Sequence, residues 1–138
     1  MMFVLDTDTL IFFFKGLHGV PSKLLATPPG EIGIPTIVLY ELEVGIAKSR
    51  VPRQRRAQLD DLLRVTQQLA FGRAEASASA QIRATLERNG PPIGPMDTLI
   101  AGTALAAGAT LITRNTREFS RVPGLKVVNW CDDALNGG

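Results

Sequence analysis

The sequence predicts an α/β fold, a three-layer α/β/α sandwich around a mostly parallel central sheet of four or five strands. Two observations predict it. Short apolar runs bounded by turn residues alternate with longer segments of helical periodicity, the order that builds strand–helix–strand crossovers. The first of those runs also lacks the polar alternation of a half-exposed strand, as expected where a sheet is covered on both faces. Each link between parallel strands is then a right-handed crossover.

Residues 2–5 (MFVL) are a continuous apolar run that stops abruptly at Asp6, which suits a buried strand. Residues 7–15 read as a helix entered through Asp and Thr caps and ended near Gly16. Residues 21–29 are turn-rich around a short apolar piece. Residues 31–35 form a second strand, closed by Pro35, a residue that also suits the first position of a helix. Residues 36–48 are strongly helical, and another helix runs from near Arg53 through RRAQLDDLLRVTQQL, with leucines at helical spacing. An alanine-rich helix over 73–88 stops at Asn89 and Gly90. PPIGP then breaks the chain before a helix over 96–108, so rich in Ala and Gly that its backbone can approach a neighbour closely. Residues 109–113 are a strand, 115–120 a short helical turn and 125–129 a last strand. Without repeats, low-complexity tracts or linkers, residues 1–138 read as a single domain.

Composition narrows the chemistry. A hydrophobic fraction of 45% with 20% charged residues is globular rather than disordered. The formal net charge of +2 names no partner, so the distribution of charge carries that argument. Cys131 and His18 are single residues of their kinds. One chain therefore holds no internal disulfide, no cysteine or two-histidine zinc site and no histidine acid–base pair. His18 reads as an exposed loop residue and Cys131 as a small residue packed near the chain end. The apolar N-terminus has no basic leader and is interrupted by Asp6 and Asp8, and no stretch approaches the roughly eighteen apolar residues of a membrane span. The expectation is a soluble cytoplasmic protein with no membrane partner.

The acids fall where an α/β sheet binds ligands, beyond the carboxyl ends of the strands. Asp6 follows the first strand, Asp97 lies in the first turn of a helix after a sharp loop, and Glu118 follows the strand ending at Thr113. Glu41 lies between one and two turns into the helix after the second strand. Such a cluster opposes folding unless neutralised, because like charges raise each other's pKa. Bound Mg²⁺ or Mn²⁺ removes that cost, prefers oxygen ligands and keeps waters, one of which can become a nucleophile. Each acid has a plain alternative. Asp6 is a good N-cap, Asp97 suits a helix dipole, and Glu118 suits a solvated turn. Glu41 shares its helix face with Ile37, Val38, Val44 and Gly45, where an ionised side chain needs a partner.

Taken together, LDTDTLIFFFKG, IPTIVLYELEVGIAKS, IGPMDTLIAGTALAAGATLITRNTREFSRVPGL and the closing Val128, Asn129 and Trp130 resemble the PIN-domain ribonucleases, and within them the VapC-type toxins of bacterial toxin–antitoxin pairs. The matching pieces span nearly the whole chain in order. The resemblance implies that Asp6, Glu41 and Asp97 are metal-binding carboxylates, with Glu118 the fourth acid and Thr113 and Asn115 ordering its turn. Asp8 stands where many relatives carry Asn, and it either alters metal affinity or faces away. The implied activity is hydrolysis of RNA phosphodiesters, in tRNA or ribosomal RNA, with Mg²⁺ or Mn²⁺. In-line attack by water would leave a 5′-phosphate and a 3′-hydroxyl. The implied partners are a cognate antitoxin that enters the active-site groove and a second copy in a homodimer.

Lys48, Arg50, Arg53, Arg55 and Arg56 put five positive charges in nine residues, and Arg114, Arg117 and Arg121 flank Glu118. A basic rim around an acidic centre suits RNA phosphate contacts, with Arg50, Arg53, Arg114 and Arg117 as candidates. A solvated loop or an antitoxin contact explains the 48–56 run equally well. Phe12, Phe13 and Phe14 read as core and partner surface rather than a base-stacking platform. Two rival functions stay open. Asp6 and Asp8 after a first strand are similar to the D-x-D start of haloacid-dehalogenase-like phosphatases, with Asp6 as nucleophile, although Leu10 departs from that pattern and Glu41 is left unused. The other rival is a non-catalytic PIN-like module that only binds.

Overall fold

A computed structural model describes residues 1–132. Its strands are β1 (Phe3–Leu5), β2 (Ile32–Pro35), β3 (Gln67–Leu69), β4 (Thr110–Ile112) and β5 (Lys126–Val128). They form one sheet of order β3-β2-β1-β4-β5, every pairing parallel. The helices are α1 (Thr7–Lys15), α2 (Val20–Leu25), α3 (Thr36–Lys48), α4 (Pro52–Val65), α5 (Arg73–Arg88), α6 (Pro95–Ala106) and α7 (Thr116–Phe119). Right-handed crossovers put α1–α4 on one face of this sheet and α5–α6 on the other. The three-layer sandwich is thus observed, and the sheet is wholly parallel.

The central strands are buried on both faces, and their sequences show it. Val4, Leu5, Ile32, Ile34, Leu111 and Ile112 are each at most 1% exposed. Phe119 of the short α7 is equally buried and plugs the β4–β5 side, while Trp130 packs 6.0 Å from Phe3. α6 lies close against α5 because Gly102 faces Ser79.

Two elements differ from the sequence expectation. Residues 20–25 form α2, entered through the left-handed Gly19, where Pro21 is tolerated because the first helical turn needs no internal N–H bond. The helix expected to run to Leu69 ends at Val65: the Thr66 hydroxyl bonds the Leu62 carbonyl at 2.8 Å, and the chain turns into edge strand β3. Gln67 and Gln68 are exposed there, so β3 carries no apolar signature. Pro35 ends β2 and caps α3 from outside rather than occupying its first turn.

The strand order has a functional consequence. From β1 the sheet grows outward on one side through β2 and on the other through β4, so the carboxyl ends of β1 and β4 flank a topological switch point. That is where open α/β sheets bind ligands.

Candidate active site

The switch point is built around Asp6. Its amide donates to the Ile112 carbonyl at 3.1 Å, tying the end of β1 to the end of β4. Its side chain caps α1, accepting the Thr9 amide at 2.9 Å. Thr9 in turn reaches the Ile112 carbonyl through its hydroxyl at 3.3 Å. The capping role is therefore real, and the same carboxylate also takes the Thr113 hydroxyl. Burial pushes the Asp6 carboxyl up from its ordinary range, against the stabilising hydrogen bonds from Thr113 and Thr9, and the charge of Asp8 pushes it up further.

Asp97 lies half-buried in the first turn of α6. Its carboxyl is raised to about 6, first by loss of solvent and then by the charges of Asp6, Glu41, Asp8 and Glu118. Acids from three other segments thus bear on Asp97: Asp6 and Asp8 from the β1–α1 junction, Glu41 from α3 and Glu118 from α7. Glu41 comes from α3, which touches α6, and its Oε1 accepts the Thr7 hydroxyl at 2.5 Å. Thr7 is thus the partner that a carboxylate on an apolar helix face requires. Glu118 sits in α7, and the preceding turn is held by the Asn115 amide donating to the Thr113 hydroxyl at 3.0 Å. Asp8 is exposed, yet its charge acts on both Asp6 and Asp97.

Thr7 and Thr9 are the site residues that the sequence did not single out. Both lie inside the stretch D-T-D-T, where the eye goes to the acids. The only available signal was that an Asp cap needs a recipient amide three residues on.

The donor set fits a hard cation. Asp6, Glu41, Asp97, Glu118 and the nearby threonine hydroxyls offer oxygen alone, the preference of Mg²⁺ or Mn²⁺ over softer metals. Among the described residues no three Asp, Glu, His or Cys side chains close into a ready cage. Mg²⁺ does not require one, since it keeps several waters and takes only one or two carboxylates directly.

The basic residues divide. Arg56 binds Glu43 through both terminal nitrogens, at 2.6 and 2.5 Å, and Arg55 is turned to the Phe14 carbonyl and Gln58. Those two charges link α4 to α3 and α1, Arg56 through a pair that stays exposed. Arg50, Arg53 and Arg117 are exposed. The Arg114 guanidinium lies 5.6 Å from the centre of the Phe12 ring, which meets His18 edge-on at 4.6 Å. His18 is accordingly half-buried, not simply exposed, and adopts the left-handed region at φ 59°. Phe12, Phe13 and Phe14 pack against the core. A groove of about 380 Å³ runs from Glu41 to Arg50, walled by Ile11, Phe14, Leu42 and Ile46. No described helix is long and apolar enough to cross a membrane.

The chain is similar in sequence and fold to known proteins. The PIN domain family matches residues 3–125. A tRNA(fMet)-specific endonuclease VapC of Shigella flexneri is 36% identical, over 94% of this chain and 98% of its own length. The crystal structure of DNA-bound VapBC from Salmonella typhimurium superposes with a TM-score of 0.87 at 35% identity, covering 95% of this chain and 99% of its counterpart. A toxin–antitoxin complex from Klebsiella pneumoniae gives 0.74 at 28% identity, covering 92% and 96%. The chain belongs to the PIN-domain family, among its VapC ribonucleases.

Proposed function

We propose that this protein is a metal-dependent endoribonuclease, the toxin of a toxin–antitoxin pair, acting as one domain in the cytoplasm. The observation that carries the reading is the crowding of acid on Asp97: its half-buried carboxyl is raised to about 6, first by loss of solvent and then by the charges of four further acids, a standing cost that a bound cation would relieve. Residues 133–138 of that domain lie outside the described residues.

Asp6, Glu41 and Asp97 would hold Mg²⁺ or Mn²⁺, with Glu118 as a fourth acid and Asp8 adding charge at the rim. When bound, such an ion supplies a water of lowered pKa and offsets charge developing on the phosphate. The protein's own contribution is orientation. Thr9 and Thr113 hold the Asp6 carboxylate, and Thr7 holds that of Glu41. Thr113 and Asn115 order the turn that presents Glu118. Arg50, Arg53, Arg114 and Arg117 would supply the phosphate contacts that hold the RNA backbone on either side of the cut.

The relative named as a tRNA(fMet)-specific endonuclease supports a tRNA-class substrate. The VapBC and toxin–antitoxin complexes support an antitoxin partner, for which the apolar groove beside Glu41 is a suitable seat. A homodimer is expected alongside.

Alanine at Asp6 or Asp97 tests the proposal. Each should lower Mg²⁺- or Mn²⁺-supported RNA cleavage at least about a hundredfold, the scale of several kcal/mol of lost charge stabilisation, and should abolish growth arrest on expression. If both activities survive either substitution, the nuclease reading fails. Growth arrest that persists without cleavage would favour the non-catalytic module.

A further inference from the structure

Arg121 lies three residues beyond Glu118, and its guanidinium has two partners from different segments. Nη1 donates to Glu118 Oε2 at 3.2 Å. Nη2 donates to the carbonyl oxygen of Pro91, thirty positions earlier in the chain. The sequence alone placed Arg121 among the cations flanking Glu118, and the structure gives it two specific partners.

The Pro91 segment matters because of what it leads into. It runs into α6, where the Gly94 carbonyl accepts the Thr98 amide at 2.9 Å and the Thr98 hydroxyl at 3.0 Å. Asp97 stands inside that first turn. Pro91, Pro92 and Pro95 have no amide hydrogen, so at three positions this loop cannot be tied down as a donor. It can be held as an acceptor, and Arg121 supplies the donor. Ile93, 4% exposed, anchors the loop from the core side, and Arg121 anchors it from the acid side. A planar guanidinium can serve two such acceptors at once, which an ammonium cannot do with the same geometry.

We propose that Arg121 is a positioning residue, a two-point latch that fixes Glu118 against the loop leading into the Asp97 helix. It sets the spacing between the fourth acid and the third, and it engages one oxygen of Glu118 in a charge-assisted bond while the other lies outside that bond. This inference rests on the acids being the reacting centre. The plain alternative is a surface pair of i,i+3 spacing, which is worth little on its own. A contact from Arg121 to an RNA phosphate is a second alternative.

The test compares wild type with R121M and R121K in three measurements on the full chain. These are amide hydrogen exchange over residues 93–97 without metal or RNA, Mn²⁺ affinity by calorimetry, and kcat and KM for RNA cleavage. The latch predicts faster exchange in R121M, with Mn²⁺ affinity and kcat each lowered about tenfold, the scale for removing an outer partner of a metal site, and KM nearly unchanged. R121K keeps the charge without the fork and should recover only part of each loss.

Unchanged exchange in R121M overturns the latch. A loss confined to KM that grows with salt assigns Arg121 to RNA instead. A lower Tm with unchanged Mn²⁺ affinity and kcat reduces it to a structural pair, and full recovery in R121K removes the two-point argument. A wild-type chain that cuts no RNA would count against the nuclease reading alone, since the exchange measurement still decides the latch.

Discussion

Asp97 carries, at the level of one side chain, the stability cost of the proposed metal site. Its carboxyl stands at about 6 against an ordinary 3.8, through burial and the charges of Asp6, Glu41, Asp8 and Glu118. Between those two values the metal-free folded protein holds more proton than the unfolded chain. Stability therefore falls as pH rises through that window. Asp97→Asn removes the charge while keeping the shape. In EDTA it should be more stable than wild type at about pH 7, by on the order of 1 kcal/mol once screening at a half-exposed group is allowed for, and the advantage should vanish below about pH 4. Urea midpoints at the two pH values decide it, and equal midpoints at pH 7 would contradict the mutual repulsion. Asp6 was legible as a helix cap, which its bond from the Thr9 amide bears out, and as a candidate site acid from its place directly after β1. Glu41 was legible as a charge on an apolar face, but its partner Thr7 was not, since a hydroxyl thirty-four positions away leaves no trace in local pattern.

Among the elements, α6 depends on closeness. A Cβ at Gly102 would lie 1.9 Å from Ser79 Oγ and 2.9 Å from Ser79 Cα. The second distance is to backbone, so no side-chain rotation relieves it. Alanine is the better helix former by about 1 kcal/mol, yet Gly102→Ala should destabilise the fold by about 1–3 kcal/mol because α5 and α6 must part. Urea denaturation reads the sign directly: stabilisation would mean that the helices can separate freely. The Ala- and Gly-rich composition of this helix announced a close approach, while the partner emerged only from the fold. Elements with a buried apolar face were readable in this way. β3 was not, because an exposed edge strand of two glutamines and a leucine continues the leucine spacing of α4 without a break in polarity. α2 was hidden by Pro21 and Ser22, which suit turns and first helical turns alike.

At the scale of the whole molecule, function follows from strand order. β1 and β4 are neighbours although more than a hundred residues separate them, and Asp6 and Thr113 leave their adjacent carboxyl ends. Right-handed crossovers then bring α3 and α6 over the same end, with Glu41 and Asp97. The sequence indicated which acids follow strands and that the strands are parallel. It did not contain the order of the strands, which depends on long-range pairing rather than local periodicity, so the convergence rested on the family resemblance. The basic rim was only half legible for the same reason: Arg55 and Arg56 look identical to Arg50 and Arg53 along the chain, but the helix packing commits them to Phe14, Gln58 and Glu43. The central claim is that these converging acids bind the ion on which RNA cleavage depends. Titration of Mn²⁺ into the RNA-free protein, with tRNA cleavage followed in the same samples, tests it most directly. Wild type should bind Mn²⁺ and cut in proportion to occupancy, and Asp97→Asn should lose both together. Cleavage that persists in EDTA, or an Asp97→Asn protein that binds and cuts like wild type, would contradict it.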